Sequence, residues 1–528
     1  MNDWQAASAA VQREAHFGDR VVTCFRDRPR SVDALLRAAA ERFPARDALL
    51  CGSARFNWRE LDERVSRLSA GMAGLGIARG DRVALLLGNR AEFVIALLAA
   101  IRSGAIAVPM SIRQQTDELD YALNHCGAAL LLHDAELAER LPAPARAPAL
   151  RHRLDVDSAA FAALLAADTA PPAIDFDEED TAVILYTSGT TGKPKGAQLS
   201  HFGIVHSALH FQQAFTLTER DRCIAAVPLS HVTGLVAMIA ALLAAGGALV
   251  VMPAFKAADF LALAARERMS YTLIVPAMYN LCLLQSDFAE HDLSAWRIGG
   301  YGGAPMPPAT IERFAQRLPR LQLMNVYGAT ETTSPTTIMP ARFTASHGDS
   351  VGKALACAEI AVMDDAGREV APGESGELWI RGPHVVRGYW NDAQASADAL
   401  VAGYWRSGDI GAVDADGFVR VYDRKKDMIN RGGFKIYTAE VEAVLAAHAG
   451  VIEAAVVAKP CAVLGERVHA FVALRDAAVD AQQLRAFCAA RLSDYKVPET
   501  FTLGQEPLPR NANGKVLKRE LRERIAAG

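Results

Sequence analysis

The sequence predicts an α/β protein. A large N-terminal domain of layered parallel sheets carries a small β-rich subdomain, and a small α+β C-terminal domain follows. Three observations lead there. Between about residues 31 and 440, short apolar runs alternate with longer helical stretches, the pattern of strands buried on both faces by crossover helices. After about residue 350 the runs become short and β-rich with Gly and Asp turns, as in GESGELWIRG and DADGFVRVYDRKKDM. From Arg424 onward, about a hundred residues remain, which is enough for a small independent domain.

The elements follow in order. RVALLLG (82–88), AVILYTSG (182–189), CIAAVP (223–228), ALVVMP (248–253), TLIVP (272–276) and LMNVYG (323–328) each read as a buried strand ending in turn residues. AEFVIALLAAIRSG is one of the helices between them. Ligands of such folds bind beyond the carboxyl ends of the strands. Three strands end in TSGTTGKPKG, PLSH and YGATE, so all three are expected to open toward one crevice. LVAMIAALLAAGGALVVM (235–252) has the length and lack of charge of a membrane span. Gly246-Gly247 interrupts it and its second half is β-rich, so it is predicted as a buried helix, a turn and a buried strand. In the terminal unit AEVEAVLAAH and QQLRAFCAARL read as helices, VIEAAVVA and HAFVAL as strands. LPAPARAPAL (141–150) reads as a surface connection, and no internal repeat is visible.

The length of 528 residues calls for more than one domain, and 51% hydrophobic with 22% charged residues is ordinary globular composition. A net charge of −4 gives no reason to expect nucleic acid or an anionic membrane as the main partner. Eight scattered cysteines without a CxxC suit free thiols in a reducing compartment, neither a disulfide frame nor a zinc site. The stretch MNDWQAASAAVQREAHFGDR lacks the apolar core of a signal peptide. The expected location is cytoplasmic, with no integral membrane segment.

YTSGTTGKPKG (186–196) is the most specific local signal. Four hydroxyls (Thr187, Ser188, Thr190, Thr191), three glycines including Gly189, and two lysines including Lys195 follow a strand directly. Glycines let backbone N–H groups crowd an anion, and hydroxyls and ammonium groups complete the cradle. Pro194 stands where a Walker A loop needs Gly, and no GxGxxG occurs, so neither a P-loop nor a dinucleotide site is indicated. His206 and His210, at i,i+4, lack the Glu of HExxH and are expected to be a packed or solvated pair. GDSVG (348–352) fits GxSxG, but no strand precedes it, which argues against a hydrolase elbow.

Taken together the segments resemble the adenylate-forming superfamily of acyl-CoA and aryl-CoA synthetases, luciferases and peptide-synthetase adenylation domains. YTSGTTGKPKG resembles its phosphate loop, PLSH its acyl-pocket histidine (His231), and GGAP (302–305) its adenine-side segment. NVYGATET (325–332) resembles its Tyr-Gly-x-Thr-Glu motif, and YWRSGDIG carries its ribose aspartate, Asp409. DRKKDMINRGGFKIYTAEVE resembles its hinge and following loop, and PRNANGK ends on its catalytic lysine, Lys515. The resemblance covers nearly the whole chain, with the motifs in family order.

The resemblance implies an ATP-dependent acyl-CoA synthetase using ATP, Mg²⁺ and CoA. A carboxylate and a triphosphate repel each other, so catalysis must consist largely of charge neutralisation and alignment. Glu331 is implied as the Mg²⁺ ligand and Thr330 as a contact to the α-phosphate. Lys515 would bridge carboxylate and phosphate. Thr187, Ser188, Gly189, Thr190, Thr191 and Lys195 would hold phosphates; Gly303, Ala304, Pro305, Asn325, Tyr327 and Gly328 would surround adenine; Asp409 and Arg424 would serve ribose and phosphate. Residues 1–422 would form the adenylation domain, 423–426 the hinge with Lys426, and 427–528 a mobile domain. Its rotation would bring Gly432 and Gly433 to the CoA channel.

His231, Val232, Gly234, Gly302, Val326 and Thr332 are expected to line the acyl pocket. The segments around them contain no Arg or Lys, so a monocarboxylic acid is favoured over a dicarboxylic one, with aromatic and alkyl chains equally open. Carrier-protein loading, a luciferase-like oxygenase and a decayed nucleotide sensor are the alternatives. The full set of catalytic residues argues against the sensor. A homodimer stays open.

Overall fold

The computed structural model describes residues 10–187, 193–475, 478–510 and 516–527. They belong to two compact units. The first comprises Met1–Ala361, Trp379–Arg406 and Asp416–Val419, and the second Val362–Leu378, Ser407–Ala415 and Arg420–Gly528.

The first unit holds two layered sheets. One has the strand order Lys195–Ser200, Thr181–Thr187, Ile106–Pro109, Arg82–Leu86, Ala128–His133, His152–Asp155. All its pairings are parallel except the first, where Lys195–Ser200 turns back on Thr181–Thr187 as a hairpin. The other has six parallel strands in the order Gln322–Tyr327, Ile298–Gly302, Tyr271–Ile274, Arg222–Ala225, Ala248–Val251, Asp47–Cys51. Short antiparallel strands extend it at both ends. The six strands read from sequence all form, but in two sheets. Burial on both faces marks a strand as central; it does not say which sheet the strand joins.

The apolar helix Ala91–Arg102 is buried along its length. Its terminal charge is neutralised: Arg102 donates to Asp33 Oδ1 and Asp62 Oδ1, each at 2.6 Å, and to Ser66 Oγ at 2.7 Å. Just before that helix, Asn89 ties the two sheets together. Its Nδ2 donates to Val227 O (2.9 Å) and Met252 O (3.0 Å), and its Oδ1 accepts from Leu229 N. One amide therefore links the end of strand Arg82–Leu86 to the ends of two strands in the other sheet.

The long apolar stretch is a helix that is π-wound over Thr233–Ala240, continues as Ala241–Ala245 and stops at left-handed Gly246 (φ 75°). Strand Ala248–Val251 follows, as expected. Among the described residues no helix is long and apolar enough to cross a membrane.

In the second unit Phe434–Ile436, Ile429–Arg431, Gly465–Leu474 and Val451–Cys461 form a sheet in that order, and Thr500–Gly504 pairs parallel with Gly465–Leu474. Helices Thr438–Ala446 and Ala481–Ala489 pack on it through Val441, Leu445 and Leu484, all fully buried. The α/β class and the small α+β terminal body are as the sequence predicts. The β-rich stretches 362–378, 407–415 and 420–424 fall in the same unit as that body.

Candidate active site

The phosphate-loop hairpin is built on register. Thr187 faces Lys195 and Tyr186 faces Gly196 across the two strands. Side chains from helix Thr116–Cys126 brace it. Tyr121 Oη donates to Pro194 O at 3.1 Å, and Lys193 Nζ lies 5.6 Å above the Tyr121 ring. Tyr186 Oη is 2.9 Å from His125 Nδ1. Lys195 Nζ sits 5.2 Å from the ring centre of Tyr389. Ser188, Gly189, Thr190 and Thr191 lie outside the described residues.

Beyond strand Gln322–Tyr327 the chain makes a tight turn. Ala329 O accepts from the Thr332 and Ser334 backbone N–H groups, and Thr332 Oγ1 accepts from Ala329 N at 2.8 Å. Thr333 (φ 46°) and Ser334 (φ 30°) are held left-handed, an unfavourable conformation for such residues. The turn presents Thr330 and Glu331, both half-buried. Glu331 Oε1 accepts from Tyr389 Oη at 3.0 Å and from Thr187 Oγ1 at 3.5 Å. Val386 N–H holds the Glu331 carbonyl at 2.9 Å. Thus the end of a strand in one sheet meets the turn after a strand in the other, which joins two of the three segments expected to open toward one crevice. A half-buried carboxylate beside hydroxyls fits Mg²⁺, which takes one or two carboxylates together with substrate phosphates.

Tyr389 is a residue that motif reading missed. Burial, and then the Glu331 charge, hold its phenol well above the usual range, so it acts as a donor.

The adenine-side residues lie around two strand ends. Gly303, Ala304 and Pro305 are exposed just after strand Ile298–Gly302, with Gly303 at φ 76°. Asn325 is buried and donates to Ser350 O at 3.3 Å. Tyr327 is half-buried and Gly328 exposed.

His231 keeps an open face, yet desolvation by the surrounding protein lowers its pKa. Its Nδ1 lies 3.3 Å from Thr233 N and 3.1 Å from Thr233 Oγ1.

Other expected pocket residues are occupied structurally. Val232 and Val326 are buried, and the Thr332 hydroxyl is turned into its own loop. A Cβ on Gly234 would meet Pro228 O at 2.5 Å, and one on Gly302 would meet Val326 O at 2.4 Å. These glycines permit close backbone approach; their missing side chains do not open space.

In the second unit Asp409 is buried and pairs with Arg424, whose Nε lies 2.7 Å from Oδ1. Arg424 Nη1 also donates to Ser407 O at 3.1 Å. The flanking Asp423 caps helix Thr438–Ala446 through Thr438 Oγ1 (2.6 Å), and Lys426 is exposed. Gly432 (φ 58°) and Gly433 (φ 93°) form the two-residue turn joining Ile429–Arg431 to Phe434–Ile436. Two positive φ angles in such a hairpin require glycine-like residues whatever passes nearby. Lys515 lies outside the described residues.

The segments discounted from sequence are structural. His206 accepts from Phe25 N and lies 2.8 Å from Phe202 O, and His210 is buried. Ser350 Oγ donates to Val419 O at 2.7 Å. Glu14, His16 and Cys24 come together, but Arg28 clasps the Glu14 carboxylate with two bonds, and burial pushes the Cys24 thiol up to about 12. That cluster is an ion-pair network, unsuited to a metal.

The chain resembles known proteins along most of its length. The profile of the AMP-binding enzyme family matches residues 36–390, and that of the AMP-binding enzyme C-terminal domain matches residues 440–515. A feruloyl-CoA synthase from Amycolatopsis sp is 34% identical over 487 residues, covering 92% of this chain and 97% of that protein. A long-chain-fatty-acid–CoA ligase from Mycobacterium tuberculosis is 34% identical over 477 residues, covering 90% and 94%. The solved o-succinylbenzoate CoA synthetase from Bacillus subtilis, in complex with its acyl-adenylate intermediate, superposes with TM-score 0.84 at 31% identity, covering 92% and 97%. Its complex with ATP and magnesium gives 0.83 at 31% identity, covering 93% and 99%. The chain belongs to the AMP-binding enzyme family, within the acyl-CoA and aryl-CoA synthetase branch of the adenylate-forming superfamily.

Proposed function

We propose that this enzyme converts a monocarboxylic acid, fatty or aromatic, to its CoA thioester in two half-reactions at one site. First the carboxylate oxygen attacks the α-phosphorus of ATP, forming acyl-adenylate and releasing pyrophosphate. Then the CoA thiol attacks the acyl carbon, the thiol proton is lost, and AMP leaves. The observation that carries this reading is the meeting of Thr187, Glu331 and Tyr389 where the phosphate-loop hairpin reaches the Tyr327–Glu331 turn.

Each residue has a task. The hairpin's N–H groups, hydroxyls and Lys195 hold the triphosphate. Glu331 would carry Mg²⁺, which neutralises phosphate charge. The ATP and magnesium ion in the complex of the Bacillus subtilis relative support the use of metal-bound nucleotide. Tyr327 and Gly303–Pro305 flank adenine, and Asp409 with Arg424 serves the ribose. The His231 ring faces the acyl group. Lys515 bridges the attacking carboxylate and the α-phosphate, then withdraws as residues 427–528 turn about Lys426 and present Gly432 and Gly433 to CoA.

A monocarboxylate is favoured because the segments expected to line the pocket offer no Arg or Lys to a second carboxylate. A panel of alkyl and aryl acids assayed for pyrophosphate release, with and without CoA, tests the reading. Turnover that requires CoA and yields AMP supports it. Turnover only with a carrier protein, or only with dicarboxylates, contradicts it.

A further inference from the structure

Tyr389 stands 58 residues beyond Glu331, in a segment that no motif singled out. It is 9% exposed and held on several sides. Its backbone forms a bridge with Ala197, and its N–H donates to Ser396 Oγ at 2.8 Å. The residues on either side are stitched to the same strand. Gln198 N donates to Gly388 O at 3.0 Å, and Trp390 N donates to Gly196 O at 2.7 Å. That strand, Lys195–Ser200, closes the phosphate-loop hairpin. The tyrosine is thus rigidly mounted on the hairpin, while its hydroxyl reaches across to Glu331 Oε1 at 3.0 Å. The ammonium of Lys195 rests over its ring, 5.2 Å from the centroid.

Two physical demands meet here. A magnesium ion requires near-octahedral geometry and tolerates little swing of a ligating carboxylate. A lysine and a glutamate in one anion site also attract each other and can pair before nucleotide arrives. The Tyr389 hydroxyl addresses Oε1 at 3.0 Å, and Thr187 Oγ1 stands 3.5 Å from the same oxygen and 3.5 Å from Lys195 O. Among the described residues, that leaves Oε2 for a cation. The ring face gives the Lys195 ammonium a resting place other than the carboxylate.

We propose that Tyr389 is a positioning residue for metal-bound nucleotide. Its hydroxyl fixes Glu331 Oε1 and so orients the carboxylate that would hold the magnesium ion, and its ring gives the Lys195 ammonium a resting place away from that carboxylate. The proposal rests on Glu331 being the magnesium ligand. Groups that orient metal ligands typically contribute about ten- to a hundredfold in metal affinity or activity.

The test is calorimetric titration of ATP into wild-type, Tyr389→Phe, Tyr389→Leu and Glu331→Gln enzymes, in magnesium and in EDTA, with thermal melts as a control on folding. Tyr389→Phe keeps the ring and loses the hydroxyl. It should lose about ten- to a hundredfold of the affinity gained from magnesium while binding ATP in EDTA as wild type does. Tyr389→Leu should show the same loss and also bind ATP more weakly in EDTA. An unchanged magnesium gain in Tyr389→Phe, or equal losses in EDTA and magnesium, overturns the proposal. Glu331→Gln separates the two ideas. If it retains the wild-type magnesium gain, the metal assignment itself is wrong and the proposal falls with it. If it loses that gain while Tyr389→Phe keeps it, only the role of Tyr389 fails.

Discussion

Arg424 Nε lies 2.7 Å from Asp409 Oδ1, and both residues are tied to Ser407. Asp409 N donates to Ser407 Oγ at 2.9 Å, and Arg424 Nη1 donates to Ser407 O at 3.1 Å. The carboxylate plane is therefore set before any nucleotide binds, as a ribose-binding aspartate requires. Hydrogen bonds to a charged group contribute about 1.5–3 kcal/mol each. Asp409→Asn should raise KM for ATP by about ten- to a hundredfold. Unchanged ATP kinetics in this variant would remove Asp409 from the site.

Lys195 is half-buried and borne on a strand whose pairing does not depend on its side chain. Lys195→Ala should weaken ATP binding by about tenfold or more, the cost of one charged contact to phosphate, and leave the melting temperature close to wild type. A variant that melts early but binds ATP normally would show a structural lysine.

Desolvation by the surrounding protein lowers the pKa of His231 from its ordinary value of 6.5. The ring should therefore stay uncharged to lower pH than a free imidazole, so any break in KM for the acid that belongs to His231 should fall below pH 6.5. A break near pH 6.5 that disappears in His231→Asn would contradict the assignment.

Stability should depend on pH through the buried histidines. Burial lowers His206 and His384 to about 3 and His201 to about 4. Below the unfolded value of 6.5 the unfolded chain takes up protons that the native state refuses. Stability is then fully present above pH 6.5 and falls with decreasing pH. Each histidine costs about 1.4 kcal/mol per pH unit well below 6.5. Urea midpoints at pH 7.5, 6.5 and 5.5 should decline, and less steeply in His384→Met. A flat profile would contradict this.

How much of this was legible follows from what kind of signal each feature leaves. The six buried strands, the helix–turn–strand at 235–252 and the terminal α+β body were readable from local apolar runs and turn residues. The division into two sheets was not, because pairing partners such as Leu49 and Leu249 are two hundred residues apart. Glu331 could be read from the Tyr-Gly-x-Thr-Glu context. Tyr389 could not, since its meaning comes from a contact across 58 residues. Gly234 and Gly302 are expected to line the acyl pocket, and backbone oxygens fill the positions their side chains would take. Sequence records that a glycine is small, not what is pressed against it.

The central claim is that adenylation and thioester formation use one site in two arrangements, with Lys515 serving the first alone. Single-turnover kinetics of Lys515→Ala test it most directly, with the two half-reactions measured separately. Loss of one charged contact to a phosphoryl transition state costs about a hundredfold to a thousandfold. Adenylation from acid and ATP should slow by at least that factor. Thioester formation from supplied acyl-adenylate and CoA should proceed at close to the wild-type rate. If thioester formation collapses as far as adenylation does, Lys515 serves both steps and the two-arrangement account is wrong.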